Sequence, residues 1–306
     1  MVVGTPARWW RMLLVLRGTT LRRTWIRLLV TFVWAEVITF YWDVIHLERL
    51  ALTITPFSLI GVALSIFLGF RNNASYDRYW EARKLWGRLV NASRTWARQV
   101  TMLVEGESGP GSMQRELIER QLAYTHSLRL HLRGEGDDGN LEKLLGSKEA
   151  TEVAGFANRP ARIVQGTGEV VRRAWKEGRL SEFHVPVLEG TMTELLALQG
   201  GCERIKATPV PWSYVVLTHR IVAVYCLALP LGLVPTVGAA TPFVVALIAF
   251  AFYGLDAIGE EIEEPFGHDP NDLPLSALCN TIEIDLREAL GDEPPEKLAP
   301  SKGLLD

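Results

Sequence analysis

Val62, Ile66 and Phe70 stand four residues apart in a stretch that carries no charge from Leu50 to Phe70, and this spacing makes them the first candidates for a function. At about 100° per residue each step drifts by only about 40°, so on a helix they form one apolar stripe over about 12 Å. Such a stripe has two readings: contact with lipid or a neighbouring helix, the usual fate of helical stripes, or a constriction that gates by dewetting. Gly61, Ala63, Ser65 and Gly69 interleave with it, and small residues let helices approach closely, as where identical helices ring an axis. The second candidate group is acidic: Glu260, Glu261, Glu263, Glu264, Asp269 and Asp272 offer hard oxygen ligands for calcium or a wall that attracts cations. Pro265 and Pro270 break any regular ligand spacing there, which favours a solvated helix end.

Enzymatic signatures are missing. There is no Walker A loop, no His-Glu-x-x-His, no nucleophile elbow and no dinucleotide fingerprint, so the chain reads as a non-enzyme without catalytic residues or cofactor. Six scattered histidines argue against a metal centre. Cys202, Cys226 and Cys279 match neither a disulfide framework nor a zinc spacing, which fits a reducing compartment. A formal net charge of -3 gives no reason to expect nucleic acid as a partner.

The elements that must position these residues are helices in two solvents. A hydrophobic share of 48% in 306 residues is high for a soluble chain and low for one made only of membrane spans. Leu50 to Phe70 has 21 uncharged residues, about 31 Å of helix, enough to cross the hydrocarbon layer. Further spans are expected at 214–237, which carries His219 and Arg220, and at 239–258, with Asp256 near its end. The weakest is 25–44, where Arg27, Glu36 and Asp43 intrude and Glu36 should face protein or water. Arg8, Arg11, Arg17, Arg22 and Arg23 precede Arg27 without an acid, whereas the segment between the first two spans offers as ionisable groups only His46, Glu48 and Arg49. The positive-inside rule then puts both termini in the cytoplasm, and the arginines also interrupt any cleavable signal. The sequons at Asn73 and Asn91 become chance matches.

Between the span pairs, 71–211 reads as a helical cytoplasmic insert. Tyr79, Ala82, Trp86, Leu89, Ser93, Trp96 and Val100 recur at alternating three- and four-residue steps, which is a packing stripe. Other helical patterns lie near 113–133, 160–177 and 181–206, and no alternating strand pattern competes. A C-terminal cytoplasmic segment, 259–290, ends in a short amphipathic helix with Leu275, Leu278, Ile282 and Leu286, and the proline-bearing tail 291–306 reads as disordered.

Three separated motifs resemble the bestrophin family in its prokaryotic branch: "FSLIGVALSIFLGFRNNASYDRYWEARKLWG" over the second span and its extension, "GGCERIKATPVPWSY" at 200–214, and "EEPFGHDPNDLPL" at 263–275. The resemblance covers nearly the whole chain. It implies an all-α membrane protein with four transmembrane helices and a helical cytoplasmic domain, assembled as a homopentamer around one central pore. It places Val62, Ile66 and Phe70 at the pore neck and a second constriction at the cytoplasmic exit, near Phe183, His184 and Val185. The implied activity is passive flux of small monovalent ions across a bacterial inner membrane, with lipid and its own copies as partners. The family is one of anion channels, and a cation preference stays open for this branch. Animal members carry a run of acids that clasps calcium after the Pro-Phe-Gly motif. Here the matching "HDPNDLP" keeps only Asp269 and Asp272, so with Glu263 and Glu264 it is at most an ion-attracting or weak metal site. Two other functions stay on the table: a secondary carrier using Glu36, His219 and Arg220 in discontinuous helices, and a membrane-anchored sensor or scaffold.

Overall fold

The computed structural model describes residues 1, 18–45, 53–106, 108–301 and 303–306. Arg8, Arg11 and Arg17, the residues 46–49 and the expected start of the second span at 50–52 lie outside these. The described residues form α1 (Leu21–Ile45), α2 (Ile54–Leu103), α3 (Met113–Arg133), α4 (Asn140–Leu145), α5 (Ser147–Ala154), α6 (Arg159–Lys176), α7 (Val185–Ala207), α8 (Trp212–Val237), α9 (Thr241–Glu263) and α10 (Leu275–Leu290). Among them the β pairings are two isolated bridges, Val104 with Leu180 and Ser301 with Leu304. Leu21–Val44, Ile54–Leu103 and Trp212–Glu263 are long and apolar enough to cross a membrane, the last being α8 and α9 joined by a 3-10 turn at Gly238–Ala240.

The chain folds as two compact units. An apolar unit holds the described residues from 18 to 79 together with Pro209–Pro265, and a polar unit holds Met1, Trp80–Thr208 and Phe266–Asp306. Helix α2, 50 residues and about 75 Å long, belongs to both.

In the apolar unit α1 packs on α9 and α8 through a stripe of mostly small residues, Thr24, Thr31, Ala35 and Thr39. Threonine is tolerated there because each hydroxyl donates to the carbonyl four residues back: Thr24 to Thr20 at 3.0 Å, Thr31 to Arg27 at 2.8 Å and Thr39 to Ala35 at 2.8 Å. Pro230 inside α8 removes one helical donor, and nearby the Trp34 indole donates to the Leu227 carbonyl at 2.8 Å, tying α1 to the disturbed turn. Two glycines allow close approach to α2. A Cβ on Gly61 would lie 2.7 Å from the Tyr225 hydroxyl, and one on Gly232 would lie 2.5 Å from the Phe57 ring.

The polar unit is organised around α3, in which every residue from Arg120 to Leu128 is buried. Ser112 caps its start, accepting from Arg115 N at 3.2 Å, and Gly134, at φ 69°, closes its end with the His131 and Leu130 carbonyls bonded by the next two amides. Helices α4, α6, α7 and α10 pack around it. Several polar groups in this core are matched: Trp96 Nε1 donates to Leu117 O at 3.1 Å, Tyr124 Oη to Leu195 O at 2.8 Å, and Thr191 to Gln99 at 2.8 Å. The tail from Gly291, read from its composition as disordered, has no helix but makes specific contacts. Arg115 holds Asp292 in a two-pronged pair at 2.7 Å, Asn280 donates to Glu296 O at 3.2 Å, and Arg133 pairs with Asp306. All three cysteines are free and buried, and burial pushes the Cys202 and Cys279 thiols up to about 12.

Gly232→Ala should overpack the contact with Phe57 and destabilise the protein by about 1–3 kcal/mol. Adding Phe57→Leu should recover part of the loss, and thermal unfolding of the two purified variants checks this.

Candidate functional site

One stripe of α2 is turned into its own chain along the whole helix: Phe57, Gly61, Leu64, Leu68, Arg71, Ser75, Tyr79, Ala82, Trp86, Leu89, Ser93, Trp96 and Val100, always three or four residues apart. Val62, Ile66 and Phe70 lie about half a turn away from it, on the opposite face. They are 62%, 54% and 64% exposed in the single chain, so no helix among the described residues covers them. Past Phe70 this outward face turns polar, with Asn73, Asp77, Lys84, Arg88 and Asn91 exposed along it and Trp80 among them. An apolar band four residues per step therefore passes, on one continuous helix face, into a band that can hydrate ions.

On the opposite side of the same helix, Arg71 and Asp256 form an ion pair, Nη1 to Oδ1 at 2.6 Å, with side chains 0% and 1% exposed. His219 Nδ1 lies 2.5 Å from the other Asp256 oxygen, and Arg27 reaches to 3.6 Å of it. Arg71 Nη2 is 3.9 Å from Glu263, whose carboxylate also accepts from Val210 N at 3.1 Å and whose carbonyl accepts from Arg78 at 3.2 Å. A Cβ on Gly259 would collide with Asn72, so α9 comes this close to α2 only with glycine there. Four helices thus meet at one set of charges just where the seam of α2 changes from apolar to mixed. The cluster also borders a cleft of about 390 Å³ lined by Ile26, Val30, Ala223 and Leu227. Glu36 is not part of it and is exposed on α1, and Arg220 is exposed on α8.

The other sequence candidates fall elsewhere. Phe183 is exposed in the turn before α7, His184 is the residue at its N-cap and Val185 its first helical residue. Asp269 and Asp272 close a local turn, Asp272 Oδ2 accepting from Asp269 N at 2.7 Å, and Glu264 caps the end of α9, exposed. Among the described residues no group of three or more histidine, cysteine or acidic side chains is placed to hold a metal ion.

The family model described as "Bacterial/Fungal Bestrophin protein" matches residues 1–288. The chain belongs to the bestrophin family. Two relatives named as voltage-dependent anion channel-forming proteins are similar over nearly their full length. One, from Mesorhizobium japonicum, is 40% identical and covers 99% of this chain and 96% of its own. The other, from Escherichia coli, is 39% identical and covers 99% and 98%. A solved bacterial bestrophin homolog from Klebsiella pneumoniae superposes with a TM-score of 0.82 at 35% identity, over 88% of this chain and 99% of that one. The bestrophin is a membrane protein, and its all-helical fold is the one those structures share. Sequence reasoning singled out His219 and Asp256 separately, as charges in apolar spans, but did not join them to Arg71. The signal available was that Arg71 falls on the seam positions of α2, where a lone arginine needs a partner.

Asp256→Ala should leave the Arg71 guanidinium buried without its partner, costing about 3–5 kcal/mol. The double change Arg71→Met with Asp256→Leu should recover much of that loss, measured as the unfolding temperature of the purified bestrophin.

Proposed function

We propose that this bestrophin is a pore-forming channel for passive flux of small monovalent ions across a bacterial inner membrane, assembled as a homopentamer around one central pore. The observation that carries it is the outward face of α2: an uncovered apolar band of Val62, Ile66 and Phe70 followed by exposed polar residues on the same face. Five such helices around an axis would stack apolar rings that a partly dehydrated ion must cross, then give it polar walls. Exposed Ala63, Ser65 and Gly69 on α2 suit close contact between neighbouring copies. In this reading α1, the first half of α2, α8 and α9 are the four crossings, both termini are cytoplasmic, and Phe183, His184 and Val185 narrow the exit. The names of the relatives favour anions. The carrier reading calls for discontinuous helices at mid-membrane, whereas α1, α2, α8 and α9 each run unbroken over 23 to 50 residues.

Planar-bilayer recording of purified protein tests the proposal. Ile66→Ala and Phe70→Ala should raise single-channel conductance or open probability while native mass stays near five times the 34.2 kDa chain. Unchanged currents in intact pentamers would move the neck elsewhere, and absence of any conductance would favour a sensor or scaffold. Reversal potentials under a chloride gradient should show anion preference.

Micromolar calcium should not activate the channel steeply, because the Asp272 carboxylate is already used within its own turn and Glu263 faces Val210 and Arg71. Steep activation that Asp269→Ala abolishes would show a working calcium site.

A further inference from the structure

A cavity of about 300 Å³ lies wholly within the polar unit, between the end of α3, α4 and the start of α6. Leu130, Leu141 and Phe156 make its apolar wall, and Ser127, His131, Glu135 and Arg159 are its polar lining. The serine is anomalous. Other buried hydroxyls donate to the carbonyl four residues back, Ser93 on α2 at 2.8 Å, Thr125 on α3 itself at 2.9 Å and Thr167 on α6 at 2.9 Å. Ser127, only 2% exposed, makes no such bond and has no hydrogen-bond partner among the described residues. A buried hydroxyl is normally satisfied, and this one borders open space.

Arg159 begins α6, and its guanidinium makes no ion pair or hydrogen bond with any described residue. The first turn of the helix adds little to its charge: Asn158 Oδ1 accepts from Ala161 N at 3.2 Å, its carbonyl accepts from Arg162 N at 3.2 Å, and Pro160 has no N–H to offer. The nearby acids are already engaged. Glu135 pairs with His268 at 2.6 Å, and Glu203 takes His131 at 3.2 Å together with the Asn158 and Gln199 amides at 2.9 and 2.7 Å. What remains unpaired at the cavity among the described residues is one cation and one hydroxyl donor, beside the apolar side chains of Leu130, Leu141 and Phe156.

We propose that this cavity binds a small organic carboxylate, with the carboxylate held by Arg159 and Ser127 and the apolar body against Leu130, Leu141 and Phe156. Benzoate is a suitable probe, titrated into the full-length protein in detergent by calorimetry, with acetate and inorganic phosphate as comparators. Saturable benzoate binding is expected, weaker by about tenfold or more in Arg159→Gln and by a few-fold in Ser127→Ala. Acetate, lacking the body, and phosphate should both bind more weakly than benzoate. Without ligand, Ser127→Ala should unfold no earlier than the parent, since no protein hydrogen bond is lost. No saturable benzoate binding to the folded protein, binding that both variants leave unchanged, or phosphate binding tighter than benzoate would each overturn the proposal.

Discussion

A helix that buries a single stripe leaves most of its circumference to be covered by something else, and α2 is in that position from Phe57 to Trp86, after which Val90, Ala92, Ala97 and Gln99 widen the buried face. Its alternating three- and four-residue steps keep the stripe in line, so the outward face is also one continuous face. Whatever surrounds the helix can change along it, but the helix cannot rotate to suit. The same backbone that buries Leu64 and Leu68 must present Val62, Ile66 and Phe70 outward, and burying Trp86 and Leu89 presents Lys84, Arg88 and Asn91. The geometry of the candidate pore is thus a by-product of core packing.

The difficulty for such a helix lies at the transition. Arg71 is at a seam position where the surroundings are apolar on one side and mixed on the other, and a guanidinium without a partner there would be costly. Asp256, His219, Arg27 and Glu263 come from three other elements of the apolar unit to meet it. An assembly of charges in a poorly hydrated place fixes geometry more than it adds stability, because its members tolerate few alternative pairings. Elsewhere in this unit polarity is absorbed locally, by threonines that bond their own helix and by a tryptophan that finds the carbonyl beside a proline.

What the sequence made legible was periodic. The packing stripe of α2 is buried as its spacing requires, and α3, α6, α7 and α10 coincide with the apolar patterns near 113, 160, 181 and 275. Less legible was anything set by distant residues. Arg71 and Asp256 are 185 positions apart, and neither spacing nor composition joins them. The tail is a similar case: its prolines and polar residues read as disorder, but Arg115 and Arg133 of α3 hold Asp292 and Asp306. The near-complete burial of α3 was hidden as well, because Arg120, Gln121 and Ser127 look solvent-bound until Glu149, Ser93 and the cavity are placed beside them. Short α4 and α5, fenced by Gly139, Gly146 and Gly155, carry too few turns for periodicity to register.

Burial of all three native cysteines has a practical corollary for anyone wishing to watch the outward face of α2. Water-soluble maleimides and methanethiosulfonates react with accessible thiolates, and these sulfurs are neither accessible nor, for Cys202 and Cys279, acidic enough to ionise near neutrality. A thiol introduced by mutation on the exposed side of the helix would then be the dominant reactive group in an otherwise unaltered chain, so the face can be mapped chemically, residue by residue, without first building a cysteine-free background.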